Sequence, residues 1–195
     1  MAEGPESKTP SQAKGRGYSI WLVPPKEAYE PLDDVINRLC AEYSDGNLRY
    51  QAPYFSPHIT LIGGLMGSRN AVAAKTAQLA SLIDEFEVKL GGLAELSDEY
   101  FKCVFVKVQK TRGIVAANQT ARRIFEKKDD PEYMPHISLI YGFFPKNIRE
   151  RIMSEEGQRN PDMFSYKFNI SRLTLCLTED TTDKWSKVGD FDLVK

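Results

Sequence analysis

The sequence predicts an α+β fold built from two related halves, and three observations lead to it. The stretches Ser56-Pro57-His58-Ile59-Thr60-Leu61-Ile62-Gly63-Gly64 and Met134-Pro135-His136-Ile137-Ser138-Leu139-Ile140-Tyr141-Gly142 match at Pro, His, Ile, Leu, Ile and Gly, with Thr60 answering Ser138. Strand-like runs alternate with helix-period patterns along the chain. One order, strand, helix, motif strand, helix, strand, also occurs twice: Tyr18, Leu32, His58, Val72, Glu87, then Lys102, Ile114, His136, Ile148, Tyr166. Halves related by a pseudo-twofold axis would face their motifs across a central cleft.

Residues Met1–Gly17 are rich in Pro, Ser, Gly and Lys and nearly devoid of apolar side chains, so a disordered tail is expected there, with one folded unit over 18–195. Tyr18–Val23 is a β-like run stopped by Pro24-Pro25. Leu32, Val35, Ile36, Leu39, Cys40 and Tyr43 recur at helical spacing behind Pro31, a residue favoured in a first helical turn, and Ser44-Asp45-Gly46 should end that helix. Tyr50, Tyr54 and Phe55 then precede His58. They either stack on a nucleobase or pack beneath the first motif strand.

Ser68 caps a second predicted helix with the stripe Val72, Thr76, Leu79, Ile83 and Phe86. Strands over Glu87–Leu96 and Lys102–Val108 follow, turned near Ser97-Asp98-Glu99. Ile114, Ala117, Ala121, Ile124 and Phe125 mark a third helix. Beyond the second motif, Ile148 and Ile152 fit a short helix closed by Gly157, with Arg149 and Arg151 on a solvated face. Tyr166–Thr178 reads as one long strand and Trp185–Leu193 as a final strand.

With 195 residues, 42% of them hydrophobic, the chain can bury a sizeable core. A net charge of −1 gives no broad field for gripping duplex nucleic acid, so a small ligand is expected, with room for a local basic patch. Cys40, Cys103 and Cys176 form no Cys-x-x-Cys pair and read as reduced, buried thiols. No long apolar run or apolar leader is present, so the expectation is a soluble, cytoplasmic monomer without membrane contact.

The chemistry concentrates in the motifs. A proline cannot continue a ladder but can open a strand, so each motif reads as a strand entered at its histidine. Alternation then sets His58 beside Thr60 on one face and Ile59 beside Leu61 on the other; His136 and Ser138 oppose Ile137 and Leu139 in the same way. These are the chain's two histidines. An imidazole with a pKa near 6.5 can take or give a proton near neutral pH, and hydroxyls can steady charge on phosphoryl oxygens. No metal or other cofactor is required. A nucleophile elbow, a P-loop and a dinucleotide glycine fingerprint are all absent.

His-x-Thr-Leu paired with His-x-Ser-Leu resembles the two-histidine phosphoesterase superfamily, within it the eukaryotic cyclic phosphodiesterases. The likeness runs from Tyr18-Ser19-Ile20-Trp21-Leu22-Val23-Pro24 through both motifs to Leu173-Thr174-Leu175. The resemblance implies a bilobal fold, two antiparallel sheets backed by helices around a cleft. It implies metal-independent hydrolysis of 2',3'-cyclic nucleotides to 2'-phosphates, and of ADP-ribose 1'',2''-cyclic phosphate to ADP-ribose 1''-phosphate, linked to by-products of tRNA splicing. His58 would protonate the leaving 3' oxygen and His136 would activate water. Trp21 and Tyr141 would join Thr60 and Ser138 in contacting the substrate. For Tyr141, strict alternation from His136 points away from the cleft unless the strand ends or bulges near Gly142; for Trp21, burial in a core is the commoner fate. Two further readings stay open: a phosphodiesterase of RNA ends or 2',5'-oligonucleotides, and a non-catalytic nucleotide- or RNA-binding module.

Overall fold

The structure, a computed structural model, describes residues 14–44, 51–97 and 99–195. The elements follow as β1 (Tyr18–Leu22), α1 (Lys26–Tyr43), β2 (Ile59–Leu65), α2 (Arg69–Ala80), β3 (Phe86–Glu95), β4 (Val104–Val108), α3 (Arg112–Ile124), β5 (His136–Ile140), α4 (Lys146–Arg159), β6 (Lys167–Ile170), β7 (Arg172–Leu177) and β8 (Ser186–Asp192). Among the described residues, no helix is long and apolar enough to cross a membrane.

Strand order is β6-β3-β4-β5-β2-β1-β7-β8, and all neighbouring strands run antiparallel. Two four-stranded halves, β2-β1-β7-β8 and β5-β4-β3-β6, meet at one register pair, Ile59 with Ile137. The two expected sheets are thus continuous through the motif strands. The third strand of each repeat crosses to the other half: β3 pairs with β4, and β7 with β1. Helices cross as well, α1 covering β5 and α3 covering β2. Only Ser171 separates β6 from β7, which lie near opposite ends of this order. One residue spans at most ~3.6 Å, so the sheet must curl until its ends almost meet.

The aliphatic sides of the motif strands fill the core. Ile59, Leu61, Ile137 and Leu139 are all fully buried, each contributing roughly 1.5–3 kcal/mol by the usual transfer bookkeeping. Where the ladder between the halves ends, side chains take over: Asn118 Nδ2 donates to the Leu61 carbonyl at 2.8 Å and the Tyr133 hydroxyl to the Thr60 carbonyl at 3.2 Å. Unpaired carbonyls would otherwise face the opening cleft.

Several expectations are corrected. The run Tyr166–Thr178 is two strands serving opposite halves of the sheet, broken at Ser171. Helix α1 starts at Lys26, so Pro31 lies inside it; one backbone donor is lost there, and Ala28 and Leu32 are buried on either side. Ile83 and Phe86 follow α2 rather than extend it.

Helix α4 runs through Gly157 because its last turn is held by Glu156, which is fully buried and accepts from Arg38, Arg159 and Asn160. Arg149 is likewise not solvated. It is buried, pairs with Glu95 and donates to the Phe144 carbonyl, whereas Arg151 lies at the surface over the Tyr43 ring. Cys103 and Cys176 are buried free thiols; Cys40 is only half-buried.

Of the expected tail, Gly15 and Asp180 exchange backbone hydrogen bonds, the Gly17 carbonyl accepts from Thr178, and Lys14 pairs with Asp180. Residues 1–13, Asp45, Gly46, Tyr50 and Asp98 lie outside the described residues.

Candidate active site

The pairing of Ile59 with Ile137 sets the site geometry. In an antiparallel ladder that register puts His58 across from Ser138 and Thr60 across from His136, all four on the face opposite the aliphatic core. Directly opposed side chains start ~4.5–5.5 Å apart and diagonal ones ~7–8 Å. The histidines occupy a diagonal of this pair and line one cavity.

Both imidazoles are held by the same local device. Nδ1 of His58 lies 2.6 Å from the Ser56 carbonyl and Nδ1 of His136 lies 2.9 Å from the Met134 carbonyl. A carbonyl only accepts, so Nδ1–H donates and Nε2 carries the lone pair in the neutral ring. His58 is 7% exposed and stacks on Trp21 with centroids 3.8 Å apart. Burial pushes its pKa down to about 4; the Ser56 carbonyl opposes this and His136 adds to it. His136 is less enclosed and meets the Phe105 ring edge-on. Burial also lowers its pKa, Lys102 acts in the same direction, and the Met134 carbonyl and Glu99 act against it.

Ser138 Oγ donates to the Phe101 carbonyl at 2.6 Å, and the Tyr141 hydroxyl is hydrogen-bonded to the Ser138 side chain. Burial raises the Tyr141 pKa. The geometric objection to Tyr141 disappears because β5 ends at Ile140, releasing the next residue from alternation. Tyr141 stacks on Phe55 at 3.6 Å and lines the motif cavity. Trp21 is buried, yet it lines the same cavity.

Gly142 follows with φ of +148°, and a Cβ there would run into the Phe144 ring. Gly142→Ala is therefore expected to destabilise the fold by ~1–3 kcal/mol and to displace Tyr141. Gly64→Ala, at φ +63° with its nearest neighbour the Lys127 Nζ at 3.6 Å, should cost less. Thermal melts of the two variants compare them directly.

His58, Thr60, His136, Ser138, Tyr141 and Trp21 thus line one cavity of about 370 Å³. Sequence reasoning missed Ser19, Gly64, Phe101, Lys102, Thr178, Trp185 and the segment Lys14–Arg16, which complete its wall. The aromatic pair had a faint signal in its residue type and Gly64 closes the first motif; the others carry no motif. Lys14, Arg16 and Lys102 bring basic side chains to the lining, Lys14 paired with Asp180 and Lys102 with Glu99. Among the described residues no three His, Cys, Asp or Glu side chains gather at a metal-binding point.

A family described as cyclic phosphodiesterase-like protein matches residues 16–195. The cyclic phosphodiesterase of Arabidopsis thaliana is 25% identical over 169 residues, covering 86% of this chain and 87% of that protein. The 2',3'-cyclic-nucleotide 3'-phosphodiesterase of Neurospora crassa is 25% identical over 158 residues, 66% of this chain and 72% of its own length. The fold is shared with TT0787 of Thermus thermophilus, at a TM-score of 0.60, 15% identity and coverage of 91% and 97% of the two chains. It is shared also with E. coli LigT complexed with 3'-AMP, at a TM-score of 0.58, 12% identity and coverage of 94% and 100%.

Proposed function

The chain belongs to the cyclic phosphodiesterase-like family, and we propose that it hydrolyses 2',3'-cyclic nucleotides to nucleoside 2'-phosphates, with His58 and His136 as the acid–base pair. The observation that carries this reading is the duplicated imidazole: two rings, each anchored through Nδ1, that line one cavity together with two alcohols.

In the proposed step His136 Nε2 takes a proton from water as its oxygen attacks phosphorus. The P–O3' bond opposite breaks, and O3' takes a proton from His58 Nε2, leaving a 2'-phosphate and a free 3'-hydroxyl. Exchange with solvent restores both rings. Thr60 donates to one non-bridging oxygen; Ser138 turns its hydrogen from the Phe101 carbonyl to another. Trp21 steadies the His58 ring, and Tyr141 positions Ser138 and contacts the substrate. ADP-ribose 1'',2''-cyclic phosphate presents the same strained diester, and we include it as a substrate, its opening giving ADP-ribose 1''-phosphate. Such substrates arise as by-products of tRNA splicing.

An assay of 2',3'-cyclic AMP in EDTA, with chromatography resolving 2'-AMP from 3'-AMP, tests the reading. The 2' isomer is expected at undiminished rate, and no product would refute it.

The pH profile follows from the lowered pKa values. An acid–base pair needs one proton between its two rings. Both rings titrate below 6.5 in the free protein, so the singly protonated pair peaks on the acid side of that value. A bound anionic phosphate favours the imidazolium and raises both pKa values. The maximum of kcat/KM is therefore expected below pH 6.5, and that of kcat at a higher pH. Coincident maxima would contradict this.

A further inference from the structure

Beside the motif cavity lies a larger chamber of about 680 Å³, which the two-histidine chemistry leaves unused. The two share a wall: Trp21 and Trp185, with ring centroids 6.0 Å apart, line both. Tyr29, Tyr54 and Phe55 also line the chamber. A half-open cavity with five aromatic side chains in its lining suits a flat aromatic ligand.

Sheet register sets its distance from the reacting centre. Thr60 pairs with Trp21 on the neighbouring strand, and Trp21 with Thr174, which lines the chamber. His136 stands across from Thr60 on the other side. At about 4.8 Å per strand, Thr174 lies roughly 14 Å from His136 along this row. Trp21, which stacks on His58 at 3.8 Å, forms the near wall, so the chamber runs from the reacting centre outward and is deep enough for a base carried on the next sugar across a 5'-phosphate.

We infer that this chamber is a base-binding subsite for an aromatic ring carried on the 5' side of the reacting ribose, so that cyclic phosphates ending a longer nucleotide are preferred to cyclic mononucleotides. The inference rests on the reading of the motif cavity as the cyclic phosphodiester site. Tyr54 is the informative side chain. It is 44% exposed and hydrogen-bonded to the Asp33 and Ser56 side chains, so truncating it leaves the apolar core in place.

Steady-state kinetics compare 2',3'-cyclic AMP, the dinucleotide ApA ending in a 2',3'-cyclic phosphate, and ADP-ribose cyclic phosphate, with the unaltered protein and with Tyr54→Ala. A KM at least ~10-fold lower for an extended substrate is expected from stacking. Tyr54→Ala should erase most of that advantage, lowering kcat/KM for the extended substrate far more than for cyclic AMP. The gain seen with ApA identifies a phosphodiester-linked base, and the gain seen only with ADP-ribose a pyrophosphate-linked one; either supports the subsite. Equal KM values for all three substrates, or equal losses in Tyr54→Ala, overturn it.

Trp21 and Trp185 are the chain's two tryptophans, so their fluorescence reports binding without turnover. Tighter quenching by uncyclised ApA than by AMP, lost in Tyr54→Ala, is expected. Should no substrate turn over, the phosphodiesterase reading fails, and this titration still decides the subsite: equal quenching overturns it.

Discussion

Replacing either His58 or His136 with alanine is expected to lower kcat for 2',3'-cyclic AMP by ~10²-fold or more, the usual contribution of a positioned acid or base. In the proposed mechanism both rings serve one displacement, so the double variant should lose little beyond the worse single one. Because His58 also packs on Trp21, His58→Asn is the sharper test. Its amide nitrogen can occupy the Nδ1 position and keep donating to the Ser56 carbonyl, but nothing stands where Nε2 stood. Its melting temperature should stay near that of the unaltered protein while kcat falls as far as in the alanine variant. Full activity in any of these variants would remove the histidine from the mechanism.

Arg149→Ala is expected to destabilise the fold by ~3 kcal/mol, the lower end for breaking a buried ion pair, since Glu95 keeps some access to water. Arg149 ties α4 to Glu95 of β3 and to the Phe144 carbonyl, just beyond the turn that carries Tyr141. Arg151 is nearby on the same helix, but its side chain is half exposed and so are its ion-pair partners Glu42 and Glu155; of its partners the Tyr43 hydroxyl alone belongs to a buried residue. Arg151→Ala should cost less than ~1 kcal/mol. Denaturant melts of the pair measure the contrast; equal losses would mean that Arg149 is not the buried anchor described.

The contrast also marks where sequence reasoning stops. Arg149 and Arg151 look alike on a short polar helix, and only the packing of α4 against β3 and β4 separates them. The motif strands were legible because their signal is local: a proline start and period-two alternation fit within five residues. The duplication was legible for the same reason, being written twice.

The exchange of β3 and β7 between halves was not legible. Ser171 interrupts a run whose β character is the same on both sides, and nothing nearby says that β6 and β7 join different partners. Trp185 and the Lys14–Arg16 segment reach the cavity through that same crossing, from remote positions in the chain. Tyr141 stood between. Its side chain could be placed only once β5 was seen to end at Ile140, with Gly142 at positive φ beyond it.

The proposed site asks that two rings from separate halves grip one phosphate. Nitrogen-15 NMR of the histidine-labelled protein reads this directly, because the chain has two histidines and each Nε2 gives its own signal. Titration with 2'-AMP is predicted to shift both Nε2 resonances together, with one dissociation constant and one equivalent of nucleotide, while both Nδ1 atoms stay protonated. A shift confined to one ring, or two rings responding at different nucleotide concentrations, would contradict a shared phosphate.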